Sequence, residues 1–405
     1  MTGTPNTGRH FVFLAPPAHG HVNPTLPLVE ELVARGHRVS YVTAEPLLET
    51  VANTGATVIP VEWKVGRDTP SDGPAFTVEG LAQLFQGLLA AGRGFLPELT
   101  ERLRGEEVAA VCYDMFGVVG PALAHRLGVP SVALLPSFAS NEHFNMGSVL
   151  PDSGEAEQFA AVFEGFRAQL AEFAAEEGAD PAVFDMMGGA GSELKLVFIP
   201  RSFQVAGDTF DKRYRFIGPS LGSRATSSEW APPEDASPLL FVSLGTVFNE
   251  CPEFFQLCLQ AFGDTDWRVA MSLGGQRDLA ELGPIPANFD VRPFFPQPVV
   301  LAHAQAFVSH TGMNSTMEAL YHGVPIVSVP QMPEQALNGR RVQELGCGRQ
   351  LDPETLTAEQ LRQAVEELVG DPAVRANLDR VSREVRACGG AVEGADVLEE
   401  HVSAG

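Results

Sequence analysis

Apolar and polar positions along the chain fall into alternating blocks of two kinds. HFVFLAP (10–16) is a continuous apolar run with the length and Phe/Val content of a strand buried on both faces. PPAHGHVNP (16–24) interrupts it with Pro and Gly and reads as a loop. PTLPLVEELVAR (24–35) then carries apolar residues at helical spacing, and Gly36 stops that helix. HRVSYVTA (37–44) is the next strand, so this opening predicts a right-handed strand–helix–strand unit with parallel pairing. The rhythm returns in VAAVCYD (108–114), a helix over 117–127 ending at Gly128, and VPSVALLP (129–136). Residues 65–80 read as loop and 155–178 as helix, with LKLVFIP (194–200) and YRFIGP (214–219) as the last strands of the first half.

LGSRATSSEWAPPEDASP (221–238) has no apolar period and is rich in Ser and Pro, which predicts a linker. LLFVSLGT (239–246) restarts the alternation. A helix over 252–262 follows, then strands in WRVAMSLG, FDVRPFF, AFVSH and IVSVP, with helices after the last two. Residues 371–404 read as helical. The predicted architecture is α/β: two doubly wound domains, 1–220 and 239–387, facing one another across a cleft. A terminal helix at about 388–405 is expected to pack back on the first.

Length and composition narrow the reading. The 405 residues are 44% hydrophobic, enough to fill two cores. Asp plus Glu number 51 against 27 Lys plus Arg, a formal charge of −24. Such a balance excludes a fold-wide positive field for nucleic acid, so an anionic ligand must be held by local devices. The five cysteines are scattered and contain no CxxC pair, which points to reduced thiols of a cytoplasmic protein rather than a disulfide framework or structural zinc. The polar lead MTGTPNTGRH lacks the apolar core length expected of a signal peptide, and no run of 18 apolar residues predicts a membrane span.

The chemistry-bearing stretch is FVSHTGMNSTMEAL (307–320). A strand delivers its carboxyl end to a turn at Thr311-Gly312, and a helix opens with free N–H groups and a positive dipole end, a ready anion site. Gly312 allows close backbone approach. SLGT (243–246) offers a second small-residue turn, Gly245-Thr246, after the first strand of the same half, and two such turns could embrace one diphosphate. Ser315 and Glu318 also stand in the S-x-x-E spacing of a capping box, and His310 could be a core histidine. No GxGxxG or GxxxxGK[ST] follows either first strand, which argues against a dinucleotide cofactor or a P-loop. Asp264-Thr265-Asp266 reads as a helix stop and turn rather than a metal-binding triplet.

FFPQPVVLAHAQAFVSHTGMNSTMEALYHGVPIVSVPQMPEQ (294–335) resembles the nucleotide-sugar signature of the UDP-glycosyltransferases, and AHGHVNPTLPLVEELVARGHRVSYVT (18–43) resembles their N-terminal opening. The likeness runs over essentially the whole chain and is nearest to the bacterial macrolide and flavonoid enzymes. It implies a two-domain GT-B fold and inverting transfer of a sugar, glucose by default, from UDP to an apolar hydroxylated acceptor. It implies no metal and no cofactor beyond the UDP-sugar co-substrate. By resemblance His310, Asn314, Ser315 and the loop around Thr246 meet the diphosphate, Glu318 the ribose, Gln297 the nucleobase, and Glu334 and Gln335 the sugar. Phe294 stands where the family usually has a base-stacking Trp, and Glu334-Gln335 where it usually has Asp-Gln.

Transfer to an alcohol needs a base, and histidine suits that task near neutral pH. His19 follows the first strand, and Asp114 ends a strand whose carboxyl end should lie beside it; by resemblance these are base and partner. His21 reads as a second loop histidine, and an HxH metal site finds no third ligand. Phe85, Phe138, Phe144 and Met146 are the candidate acceptor walls, with ordinary core packing as the competing reading. Competing functions are a sugar-nucleotide-binding helper, an epimerase on the same fold and an NAD-dependent dehydrogenase. The last is opposed by the missing glycine fingerprint.

Overall fold

The structure, a computed structural model, describes residues 8–63, 77–145, 156–184, 192–226, 230–233, 235, 237–246, 251–275 and 279–403. The chain forms two compact units, Met1–Ser220 with Cys388–Gly405, and Leu221–Ala387.

The first unit is built on seven parallel strands: β1 (His10–Leu14), β2 (Arg38–Thr43), β3 (Thr57–Pro60), β4 (Val108–Asp114), β5 (Ser131–Leu135), β6 (Leu194–Val197) and β7 (Tyr214–Phe216), in the order β3-β2-β1-β4-β5-β6-β7. Every residue of β1 is buried because both faces are covered, which explains its continuous apolar run. Phe11 and Phe13 point to the face where helices α1 (His19–Val22), α2 (Leu26–Ala34) and α3 (Leu48–Ala52) contribute Val22, Leu28, Leu32 and Val51. Helix α4 (Val78–Leu103) packs against α5 (Gly120–Leu127) and α6 (Ala156–Glu176). Gly128 closes α5 in the left-handed region, at φ 69°, as its position predicts. The direction of strand progression reverses at β1 and β4, so their carboxyl ends form the switch point of this sheet.

The second unit has six parallel strands: β8 (Leu239–Ser243), β9 (Arg268–Ser272), β10 (Phe289–Arg292), β11 (Ala306–Ser309), β12 (Ile326–Ser328) and β13 (Gly348–Gln350), in the order β10-β9-β8-β11-β12-β13. Its switch point lies at β8 and β11, which run in register from Ala306 beside Leu240 to Ser309 beside Ser243. Phe241 and Phe307 stack between them at 5.0 Å. The helices of this unit are α7 (Pro252–Phe262), α8 (Gln297–Leu301), α9 (Met313–His322), α10 (Pro333–Glu344), α11 (Ala358–Gly370) and α12 (Pro372–Ala387).

The final helix, α13 (Gly390–Ser403), belongs to the first unit and packs on α2. Ala395, Val397 and Leu398 enter its core. Arg35 donates to Asp396, Glu399 and the Val392 carbonyl, and His37 is bonded to Glu399 at 2.7 Å.

The stretch 221–238, expected to be a linker, counts with the second unit. Its Leu221 and Trp230 are buried, Trp230 lies beside His303, and Gly222–Thr226 forms a short 3-10 helix. Ser and Pro content marked a segment without apolar period, but its described residues hold two apolar anchors and two ion pairs, Arg224 with Glu318 and Asp235 with Arg268. All five cysteines are free thiols. Among the described residues no helix is long and apolar enough to cross a membrane.

Candidate functional site

In the first unit the loop after β1 does not stay irregular. It forms the single-turn helix α1, whose first and third residues are His19 and His21. At about 100° per residue, side chains two apart on a helix diverge by roughly 200°, so the two imidazoles face different surroundings. The Leu14–Tyr113 pairing of β1 with β4 sets Asp114 one step beyond, at the switch point. Its fully buried carboxylate meets His21, whose Nδ1 lies 3.0 Å from Oδ1 and 2.9 Å from Oδ2. The Phe116 backbone N–H donates to the same carboxylate at 2.8 Å, and the Phe116 ring lies 4.9 Å from the imidazole. The expected His19–Asp114 pair is therefore corrected: Asp114 holds His21. A carboxylate accepts, so the hydrogen sits on Nδ1 and Nε2 becomes the basic nitrogen. His21 retains 21% side-chain exposure, enough for a substrate to reach it.

The expected acceptor walls are corrected as well. Phe85 is 3% exposed and stacks on Phe166 at 4.2 Å. Phe138, 1% exposed, stacks on Phe203, and Phe144 packs edge-on against it. These rings are satisfied by one another inside the unit, where aromatic pairs contribute most to packing. Met146 lies outside the described residues.

In the second unit both predicted turns sit at the switch point, one after β8 and one after β11. The His310 imidazole lies between them. A Cβ at Gly245 would come within 2.7 Å of its Nε2, and one at Gly312 within 2.5 Å, so only glycine fits on either side. His310 Nδ1 is buried with no hydrogen-bond partner among the described residues. Burial pushes this imidazole down to about 4, which keeps it neutral at physiological pH. Thr311 follows with φ of 58°, unusual for a β-branched residue. Its conformation is over-determined. The backbone N–H donates to Ser309, the hydroxyl bonds Ser328 and the Gln335 carbonyl, and the Thr311 carbonyl accepts from Asn338. Gly312 caps α9 without a side-chain cap, so the helix opens with unsatisfied N–H groups. Thr246, on the companion turn, is exposed.

Ser315 and Glu318 do not form the capping box that their spacing allows, whereas Thr357 and Gln360 form one on α11. Glu318 is instead a buried carboxylate, 1% exposed, that accepts from Arg224, Gln297 and Asn314 at 2.9, 2.6 and 3.0 Å. Gln297 also donates to Ser315 at 3.1 Å. Three residues before Gln297, Phe294 is 54% exposed, a ring with an open face. Glu334 and Gln335 open α10. Asn338 donates to Glu334, and the Gln335 side-chain carbonyl accepts from the Gln331 N–H. Arg224 carried no signal in the sequence, because it sits in the Ser-rich stretch read as linker. Asp264, Thr265 and Asp266 form the turn from α7 into β9, at the amino edge of the sheet and away from these loops.

Residues 256–400 match the family described as erythromycin biosynthesis protein CIII-like, C-terminal domain. The chain is 36% identical over 397 residues to the NDP-glycosyltransferase YjiC of Bacillus licheniformis, covering 96% of this chain and 97% of that protein. It is 37% identical over 401 residues to the demethyllactenocin mycarosyltransferase of Streptomyces fradiae, covering 96% and 86%. Among solved structures, the calicheamicin glycosyltransferase CalG4 matches with a TM-score of 0.82 and 36% identity over 98% of this chain and 99% of that one.

Proposed function

The chain belongs to the macrolide and nucleotide-sugar glycosyltransferases of GT-B fold, and we propose that it moves glucose from UDP-glucose to a hydroxyl of a large apolar natural product, with inversion. The observation that carries the mechanism is the His21–Asp114 pair at the switch point of the first sheet. His21 Nε2 takes the acceptor proton as the hydroxyl oxygen bonds the anomeric carbon, and the bond from that carbon to UDP breaks on the opposite face. Asp114 orients the ring and stabilises the imidazolium without taking the proton.

The second unit holds the donor. The α9 N–H groups and the turn at 310–312 meet the diphosphate, with Asn314, Ser315 and Thr246 beside it. His310 acts as a neutral hydrogen-bonding group there and not as a counter-charge. The departing UDP is stabilised by dipoles already in place, which need no reorganisation during the reaction. Phe294 stacks on the nucleobase beside Gln297, Glu318 receives the ribose hydroxyls, and Glu334 and Gln335 receive those of the sugar. Likeness to proteins named for erythromycin, demethyllactenocin and calicheamicin supports the acceptor class. The diphosphate is met by helix-end dipoles and the DxD triplet lies on the far edge of the sheet, so the transfer is proposed to run without a metal.

The test is UDP release from UDP-glucose with a panel of macrolides and flavonoids. Acceptor-dependent release should fall about 10²- to 10⁴-fold in His21→Ala, stay within about tenfold in His19→Ala, and survive EDTA. Loss in His19→Ala with retention in His21→Ala would reverse the assignment of the base.

A further inference from the structure

Asn338 stands on α10 one turn after Glu334 and is fully buried. Its amide spends both hydrogens, one on the β11–α9 turn and one on its own helix, donating to the Thr311 carbonyl at 2.8 Å and to Glu334 Oε1 at 3.0 Å. Its own Oδ1 is buried without a partner among the described residues. A side chain retained only to fill the core would not leave an acceptor stranded, and Leu would fill nearly the same volume. What an amide does here, and Leu or Asp cannot, is offer two donors to two acceptors. One of these is the carbonyl of the left-handed residue in the β11–α9 turn, and the other is a carboxylate at the start of α10. A second bond, from the Thr311 hydroxyl to the Gln335 carbonyl, joins the same turn to the same helix.

We propose that Asn338 is a positioning residue that fixes the carboxylate of Glu334 relative to the turn at Thr311, and so sets the donor sugar in register with its diphosphate. The inference rests on the reading that Glu334 meets the sugar and residues 310–316 the diphosphate. Asn338 itself touches neither. Loss of its two donors removes the tie between the Glu334 carboxylate and the Thr311 carbonyl, leaving the Thr311 hydroxyl bond to the Gln335 carbonyl as the remaining link. The nucleotide end, held by α9, Glu318 and Phe294, is unaffected. A displacement of about 1 Å at the sugar is enough to cost up to about a hundredfold in rate.

The experiment compares native protein, Asn338→Leu, Asn338→Ser, Glu334→Gln and the double variant Asn338→Leu/Glu334→Gln, each checked for cooperative thermal unfolding. Binding of UDP and of the intact donor, UDP-glucose or dTDP-glucose as the native protein prefers, is measured by calorimetry beside kcat. In Asn338→Leu, UDP affinity should change less than about threefold, while the gain in affinity from the sugar disappears and kcat drops about 10- to 100-fold. The double variant should be no worse than Glu334→Gln, because both changes act through one carboxylate. If Asn338→Leu does not fold, Asn338→Ser, which keeps one donor, should give the same split at smaller amplitude. Equal losses of UDP and donor binding, or additive effects in the double variant, would reduce Asn338 to a structural role and overturn the proposal. An unaltered Glu334→Gln would instead show that the sugar-side reading is what fails.

Discussion

A histidine flanked by two glycines and pushed down to about 4 is neutral where the protein works, and this ties His310 to stability. In the unfolded chain the same ring titrates near 6.5. Its folded value is depressed, so the contribution is complete above about pH 6.5 and is lost as pH falls toward 4, where only the unfolded chain takes up the proton. The loss amounts to at most about 3 kcal/mol. Urea midpoints from pH 7 to 4.5 should fall more steeply for native protein than for His310→Gln, and parallel curves would show that the ring is solvated. At this scale the sequence supplied candidates but not their pairing. AHGH contains two histidines, and only the single helical turn, too short to show a period, decides that His21 meets Asp114. Likewise S-x-x-E at Ser315 and Glu318 fits a capping box locally, but a buried carboxylate with Arg224 and Gln297 in reach satisfies more donors than a helix end would.

The elements that read most clearly were strands covered on both faces, such as β1, β4 and β8, since continuous burial forces a continuous apolar run. Edge strands β3 and β13 escaped because half-exposed positions dilute the pattern. The terminal helix α13 and its return to the first unit were expected from the sequence, while the residues that anchor it were not, because Arg35 and His37 lie more than 350 residues away from Glu399 along the chain. That anchoring makes a prediction. Deleting residues 388–405 uncovers the sites of Val397 and Leu398, at about 1.5–3 kcal/mol per side chain, and bares their partners on α2. This is a large share of the 5–15 kcal/mol of an ordinary domain, so the truncated protein should unfold well below the native Tm or fail to accumulate. Arg35→Ala, which removes partly exposed ion pairs and one hydrogen bond to the Val392 carbonyl, should cost about 1 kcal/mol. An unchanged Tm after truncation would mean that α13 contributes nothing to the first unit.

For the whole molecule the decisive quantity is the formal charge of −24, set against a doubly anionic donor. The far field repels what the site must capture, and the two carboxylates assigned to the donor, Glu318 and Glu334, add to that repulsion. What the proposed site offers the donor is short-ranged: unsatisfied N–H groups at the start of α9 and an aromatic face at Phe294. The two contributions respond differently to salt. Screening acts on exposed charges separated by more than the Debye length, about 30 Å at 0.01 M and about 8 Å at 0.15 M, and hardly touches partly buried contacts. Raising ionic strength between those limits should therefore speed donor association while leaving dissociation almost unchanged. The donor-dependent kcat/KM should rise by a factor of about two to five, in the sense opposite to enzymes that steer anions with basic patches. The check is a series in sodium chloride at subsaturating UDP-glucose, with viscosity and pH held constant. A fall with salt would mean that basic side chains such as Arg224 dominate the local field, and that neutral dipoles do not suffice to hold the diphosphate.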